Sequence, residues 1–427
     1  MSRKLRTCLI LFLFHVIAFS AIRASVFAEE IALTLDEAIV IALRDNRSIR
    51  LQAQDIERAK AQLENSKSDR WPTLTFSATE QHDKGYYPAD ISSTVTQTSI
   101  RQYLYKGGSI MNSIDKANYD LQAAKAATAR TRNDIILAVT KTFCATLLAQ
   151  EYARLNKAIA DNTILHLTFI QARYEKGQAS ENDLLQLKNS LENVKAVHEE
   201  SVNQITALEE ILRNLLFLTN DVIIKARGTL AYEPRDLLYD EGFLQALATR
   251  PEIKEYEAKE KANIRSVEIA KADGRPSVYA SWDYYSRSHI LSTASKNWND
   301  NMVIGLTFSW PIFDGWGTKA KVDQAIADLK QTQILKEKLI KDIALELKNA
   351  YIALNDAVSK LRASEAQIAW YESSAATTAQ QYNKGLTSQL DVADAMIGLD
   401  VARFNKIQAT YDYLIAHANF VKATGGM

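Results

Sequence analysis

The chain has 427 residues, with 51 Lys and Arg balancing 51 Asp and Glu, and only two cysteines. Without a basic excess there is no electrostatic drive toward a phosphate backbone, which excludes nucleic acid as a main partner. Six prolines and 14 glycines are few for this length, so long uninterrupted elements are implied.

The chain begins with Arg3, Lys4 and Arg6, an apolar run over residues 9–21, and Ser25-Val26-Phe27-Ala28 before Glu29. These are the parts of a secretory signal, residues 1–28. An uncleaved anchor is the competing reading, but the apolar run is shorter than the roughly 20 residues a spanning helix requires. Cys8 precedes the apolar run instead of following the cut, which argues against lipidation. Removing the segment takes away four bases (Arg3, Lys4, Arg6, Arg23), leaving 47 basic against 51 acidic residues and the single cysteine Cys144. Cys144 stands among Phe143, Leu147 and Leu148, as a small buried apolar side chain would.

Residues 73–79 alternate strictly, polar at odd and apolar at even positions, which is the period of a strand with two unlike faces. A second, less regular strand over 94–105 carries Arg101. The apolar residues at 110, 114, 117, 121 and 124 are spaced as on a helix packed along a neighbouring helix. No glycine or proline falls between Gly108 and Gly177, enough for a rod of roughly 100 Å at about 1.5 Å per residue. Tyr174-Glu175-Lys176-Gly177-Gln178-Ala179-Ser180 then closes a hairpin, because glycine accepts the positive φ at which helices end. Ser180 and Asp183 have capping-box spacing.

The same turn returns 208 residues later as Tyr382-Asn383-Lys384-Gly385-Leu386-Thr387-Ser388, with Asp391 in the place of Asp183. It is preceded by strands over 277–282 and 302–310 and by an apolar stripe at 343, 347, 350, 354, 358 and 361. One unit is therefore used twice, over 29–228 and 229–427, with polar loops expected at 82–93 and 287–300 within its strand hairpins. A long helical bundle or coiled-coil spacer would show the same helical periodicity.

The four strands could form an ordinary sheet with one wet face. However, the helices already have stripes of their own to bury, and Trp71, Tyr103, Tyr105, Tyr284, Tyr285, Trp298 and Trp310 cluster at strand ends. Apolar-out, polar-in strands with aromatic ends suit an outer-membrane barrel. Lipid tolerates no unpaired sheet edge, and four strands cannot close, since about eight make the smallest such barrel. If they span a membrane, several chains share one barrel.

These pieces resemble the TolC family of outer-membrane efflux and secretion channels. Leu33-Thr34-Leu35-Asp36-Glu37-Ala38-Ile39 with Ala42, Leu43 and Asn46 is similar to the family's opening helix, and Trp71-Pro72 and Arg275-Pro276 to its entries into the strands. Leu104-Tyr105-Lys106-Gly107-Gly108 and Pro311-Ile312-Phe313-Asp314-Gly315-Trp316-Gly317 resemble its strand-to-helix signature, with Tyr103 for the first proline, Lys106 for the aspartate and Trp316 for the last glycine. The resemblance implies an α+β membrane protein, a homotrimer whose twelve strands, four per chain, form one barrel in outer-membrane lipid. Long α-helical hairpins would continue it as a periplasmic α-barrel. The channel would be the passive exit duct of a tripartite efflux or type I secretion system. A periplasmic membrane-fusion adaptor and an inner-membrane pump of the RND or ABC type would serve it, and the segment from 212 to about 240 would connect the halves.

Site residues follow from the same resemblance. Gly177 and Gly385 match the glycine of the tip motif that meets the adaptor and Leu386 its leucine, while Lys176 and Lys384 replace its valine. Asp391 and Asp394 resemble the acidic pair at the narrow entrance, with Asp183 equivalent in the other half, and Tyr382 a tyrosine that helps hold it shut. Thr387 stands where some members have an arginine contact. Helix capping alone would also account for Asp183 and Asp391. No HExxH, GxSxG or phosphate loop is present and the histidines are scattered, so neither enzyme activity, metal nor cofactor is expected. A periplasmic coiled-coil adaptor or scaffold is the alternative.

Overall fold

The structure, a computed structural model, describes residues 29–84, 91–219, 221–232, 238–291 and 297–426. The signal segment 1–28 lies outside the described residues. The first half runs β1 (Glu29–Leu33), α1 (Leu35–Asp45), α2 (Arg47–Ser68), β2 (Thr73–Asp83), β3 (Ile91–Lys106), α3 (Ser109–Glu175) and α4 (Glu181–Leu216). β4 (Val222–Ala226) follows, still within 29–228, and the second half runs α5 (Tyr239–Thr249), α6 (Pro251–Ala272), β5 (Ser277–Leu291), β6 (Asn297–Ser309), α7 (Gly317–Asn383) and α8 (Gln389–Ala423). Helix lengths repeat with the order: 11, 22, 67 and 36 residues, then 11, 22, 67 and 35.

The chain divides into two compact units, one of residues 1–46, 138–232 and 360–415, the other of 47–137, 233–359 and 416–427. In the first, β1 pairs in parallel with β4, from Glu29 opposite Val222 to Leu33 opposite Ala226. Five-residue strands are too short to show a period, and this pair was not expected from the sequence. Thr34 caps α1 in a full capping box with Glu37, burying Ala38 and Ala42 completely. The Asn46 amide, itself buried, donates to the Leu215 carbonyl at 3.2 Å. On α3, Val139, Phe143, Cys144 and Leu147 are buried, and desolvation pushes the Cys144 thiol up to about 11.

The second unit holds an antiparallel sheet in the order β2-β3-β5-β6, so the two strand hairpins join through β3 and β5. Its register places Leu74, Ile100, Trp282 and Ile304 in one cross-strand row and Phe76, Thr98, Tyr284 and Met302 in the next. Leu74, Phe76, Met302, Ile304, Leu306 and Phe308 are all more than half exposed. The other face is polar: the Ser99 hydroxyl donates to Asp283 at 2.6 Å, and the Gln97 amide reaches Asp283 and the Tyr285 hydroxyl, both at 3.1 Å. Among the described residues no helix is long and apolar enough to cross a membrane.

Of the polar stretches 82–93 and 287–300, expected as loops, the described residues other than Lys84 are strand. β2 runs to Asp83, β3 begins at Ile91, β5 reaches Leu291 and β6 begins at Asn297, while 85–90 and 292–296 lie outside the described residues. Where both faces of a sheet are wet, side chains lose their alternation although the backbone ladder continues, so hydropathy alone ends the strands too early.

Helices of this unit pack through small layers, such as Leu347, Ala350, Phe420 and Ala423 backed by Tyr239, Phe243 and Tyr351. Arg250, at the α5–α6 junction, is 4% exposed and carries the charge of that core. Its guanidinium forks onto Glu252 at 2.8 and 3.2 Å, donates to Glu346 at 2.7 Å and touches the Ala423 carbonyl. Lys422 joins the network through Glu346 at 3.9 Å and extends it to Asp134 at 2.8 Å. Breaking such a pair strands a desolvated carboxylate, so Arg250→Met is expected to cost about 3 kcal/mol in thermal unfolding. Glu252→Gln added to Arg250→Met should recover part of that loss, and no recovery would mean that packing, not charge, holds the junction.

Candidate functional site

Each long helix ends where its sequence supplies a glycine. Gly177 and Gly385 have φ of +70° and +74°, and no heavy atom lies within 4 Å of where a Cβ would stand on either. The need for glycine is thus conformational and not one of space. After α3, the Gly177 amide donates to Tyr174 and the Gln178 amide to Arg173, both at 2.9 Å. After α7, Gly385 donates to Tyr382 and Leu386 to Gln381 at the same distance. This is the paired closure of a Schellman motif in both copies. Lys176, Gly177, Lys384 and Gly385 are exposed, and Leu386 is 74% exposed with nothing covering it.

The following helices start as the spacing requires. The Ser180 hydroxyl accepts from the Asp183 amide at 3.1 Å, and the Asp183 carboxylate accepts from the Ser180 amide at 3.1 Å. Ser388 and Asp391 do the same at 3.2 and 2.8 Å. The second copy adds more, because the Asp391 carboxylate also accepts from the hydroxyls of Ser388 and Thr387, both at 2.6 Å. These bonds, Ser388 foremost, hold the Asp391 carboxyl down at about 2. Thr387 is thus a donor to Asp391. Asp394 stands exposed three residues further along α8, beside Asp391 on one helix face.

Tyr382 is half-buried in the last turn of α7, where its hydroxyl accepts from Arg173 at 2.5 Å. The guanidinium also lies over the Tyr382 ring at 5.4 Å and over the Phe169 ring at 5.7 Å. The contact ties the end of the first long helix to the end of the second. Sequence reasoning singled out Tyr382 and missed Arg173. The available signal was an asymmetry: 208 residues after Arg173 the second copy has Gln381. Asp183 and Asp391 stand at corresponding places of the two copies, each engaged in its own cap.

The family model described as "Outer membrane efflux protein" matches residues 38–216 and 244–426. Outer membrane protein TolC of Vibrio cholerae is 24% identical over 435 residues, 97% of this chain and 94% of that protein. The probable outer membrane lipoprotein SilC of Salmonella typhimurium is 23% identical over 397 residues, 90% of this chain and 84% of that protein. The solved open state of the Neisseria gonorrhoeae MtrE outer membrane channel shares the fold with a TM-score of 0.78 at 18% identity, over 94% of this chain and 93% of that one. All three are outer-membrane proteins, which favours a channel over the periplasmic adaptor or scaffold. The chain belongs to the outer membrane efflux protein family and is an outer-membrane efflux channel whose strands build a β-barrel and whose long helices build a barrel reaching into the periplasm.

Proposed function

We propose that three copies of this chain form one passive exit duct, fed by an inner-membrane pump of the RND or ABC type through a periplasmic membrane-fusion adaptor. The observation that carries this reading is the sheet. Its edge strands β2 and β6 run in opposite directions, so β6 of one copy can pair with β2 of the next and close a uniformly antiparallel barrel. The exposed row of Leu74, Phe76, Ile304, Leu306 and Phe308 then faces lipid, and the Gln97, Ser99 and Asp283 face lines the lumen. Exposed apolar side chains on the helices of the first unit, among them Leu165, Leu185, Ile397 and Val401, support burial against neighbouring copies.

In this reading the turns bearing Lys176, Gly177, Lys384, Gly385 and Leu386 are where the adaptor docks. Asp183, Asp391 and Asp394 line the pore entrance, and the threefold ring of Asp391 and Asp394 favours cations. Opening moves the α7–α8 hairpin away from α3, which breaks the bond between Tyr382 and Arg173. Transport needs no chemistry in the channel, since the pump supplies the energy.

Two measurements on the purified channel in planar bilayers test the entrance. Asp391 has a depressed folded pKa, so its ionised form stabilises the tip fully above the ordinary carboxyl value of 3.8, and that support is lost as pH falls through about 2. The Asp394→Asn channel, with Asp391 intact, should therefore keep a cation preference down to about pH 3 and lose it on further acidification. Loss already near pH 5 would assign the preference to other groups. Secondly, Tyr382→Phe removes a hydrogen bond to a charged donor, worth about 1.5–3 kcal/mol, and should raise the conducting fraction roughly tenfold or more. An unchanged open fraction in Tyr382→Phe and Arg173→Gln alike would remove this contact from the gate.

A further inference from the structure

We propose that the barrel lumen carries, at its helix-side end, an anion-binding belt built from Lys106, Tyr103, Arg101 and Tyr279. The inference rests on the duct reading above. β3 and β5 pair in regular register from Ile91 opposite Leu291 to Tyr103 opposite Tyr279, and then Tyr105 stands opposite Val278 and Lys106 opposite Ser277. Leu104 is the extra residue of a β-bulge, and a bulge reverses the faces beyond it. Without it Lys106 would share the lipid-side parity of Ile100 and Gln102. With it Lys106 joins the face of Arg101, Tyr103, Tyr279 and Asp283.

The contacts agree with that placement. The Lys106 ammonium lies 5.0 Å over the Tyr103 ring, the Arg101 guanidinium 4.9 Å over the Tyr279 ring, and the two rings meet edge to face at 5.6 Å. The four side chains form one ladder of two cations on two aromatic rings. Among the described residues no carboxylate is in salt-bridge reach of either cation. Asp283, further along the same face, accepts from Ser99 and Gln97 and feels the Arg101 charge from beyond ion-pair distance, so the Lys106 end of the ladder is the more strongly positive.

The duplication shows what Lys106 replaces. Its counterpart 208 residues later is Asp314, which caps α7 by accepting from the Thr318 amide and hydroxyl, both at 2.6 Å. Lys106 cannot accept such bonds through its side chain. Its carbonyl accepts from the Ser109 hydroxyl at 2.9 Å instead, and the ammonium is left to the lumen. Three copies would place six such cations around one cross-section, a ring that recruits anions as charged rings do in other pores. The ligand class is cargo bearing several carboxylate, sulfonate or phosphate groups, with aromatic cargo held further by the two tyrosines.

The test uses the full-length channel in planar bilayers, with inorganic tripolyphosphate as the probe added on the side opposite the periplasmic turns. Wild type should be blocked, and the Arg101→Gln/Lys106→Gln channel should need roughly tenfold more probe. The charge-keeping exchange Arg101→Lys/Lys106→Arg should restore block, which separates charge from folding. Lys106→Gln alone, at the strand's exposed end, should give an intermediate shift. Equal block of wild type and the glutamine variants in conducting channels would overturn the belt and leave the duct standing. Failure to conduct by wild type and by the Tyr382→Phe channel alike, the latter with its entrance contact removed, would overturn both.

Discussion

Inside lipid every backbone N–H and C=O must find a partner within the protein, and among the described residues this chain's four-stranded sheet pairs no further strand on the outer edges of β2 and β6. That requirement orders the rest of the structure. An even number of strands per copy makes the two edges antiparallel, so assembly can repeat the internal pairing. The apolar row on β2 and β6 is exposed in a single chain because lipid is its solvent. The polar row opposite is free to carry Asp283, Arg101 and Lys106, which no core packed on helices would accept without pairing.

Duplication is the economical route to such a strand count, and divergence of the two copies is where specific properties enter. Glycine and the Ser-x-x-Asp cap persist in both turns, since a helix end has the same backbone needs in either copy. Elsewhere Arg173 faces a counterpart Gln381, Thr387 a counterpart Ala179 and Lys106 a counterpart Asp314. The first asymmetry gives Tyr382 its partner, the second gives Asp391 an additional donor, and the third exchanges a helix cap for a lumen cation.

Periodicity made the strand hairpins and long helices legible, because each has a face in lipid or core and a face elsewhere. The helix ends were legible through Gly177 and Gly385, where positive φ admits few residues. The wet ends of β2, β3, β5 and β6 were not, since polar side chains on both faces erase the period while the ladder continues. The β1–β4 pair was too short to register. Arg173 was missed because its significance depends on Tyr382, distant in sequence, and the orientation of Lys106 because it depends on a bulge at Leu104. The TolC-family resemblance rested on ordered, duplicated motifs and led to the correct family. The tip and entrance assignments remain proposals resting on those motifs and the geometry around them.

The central claim is that the sheet is a fraction of a barrel completed by identical chains. Native mass spectrometry of the protein extracted from outer membranes in detergent tests it most directly, because it counts chains. Three copies are expected, giving twelve strands and no open edge. A dominant monomer, or a dimer with eight strands, would contradict the account.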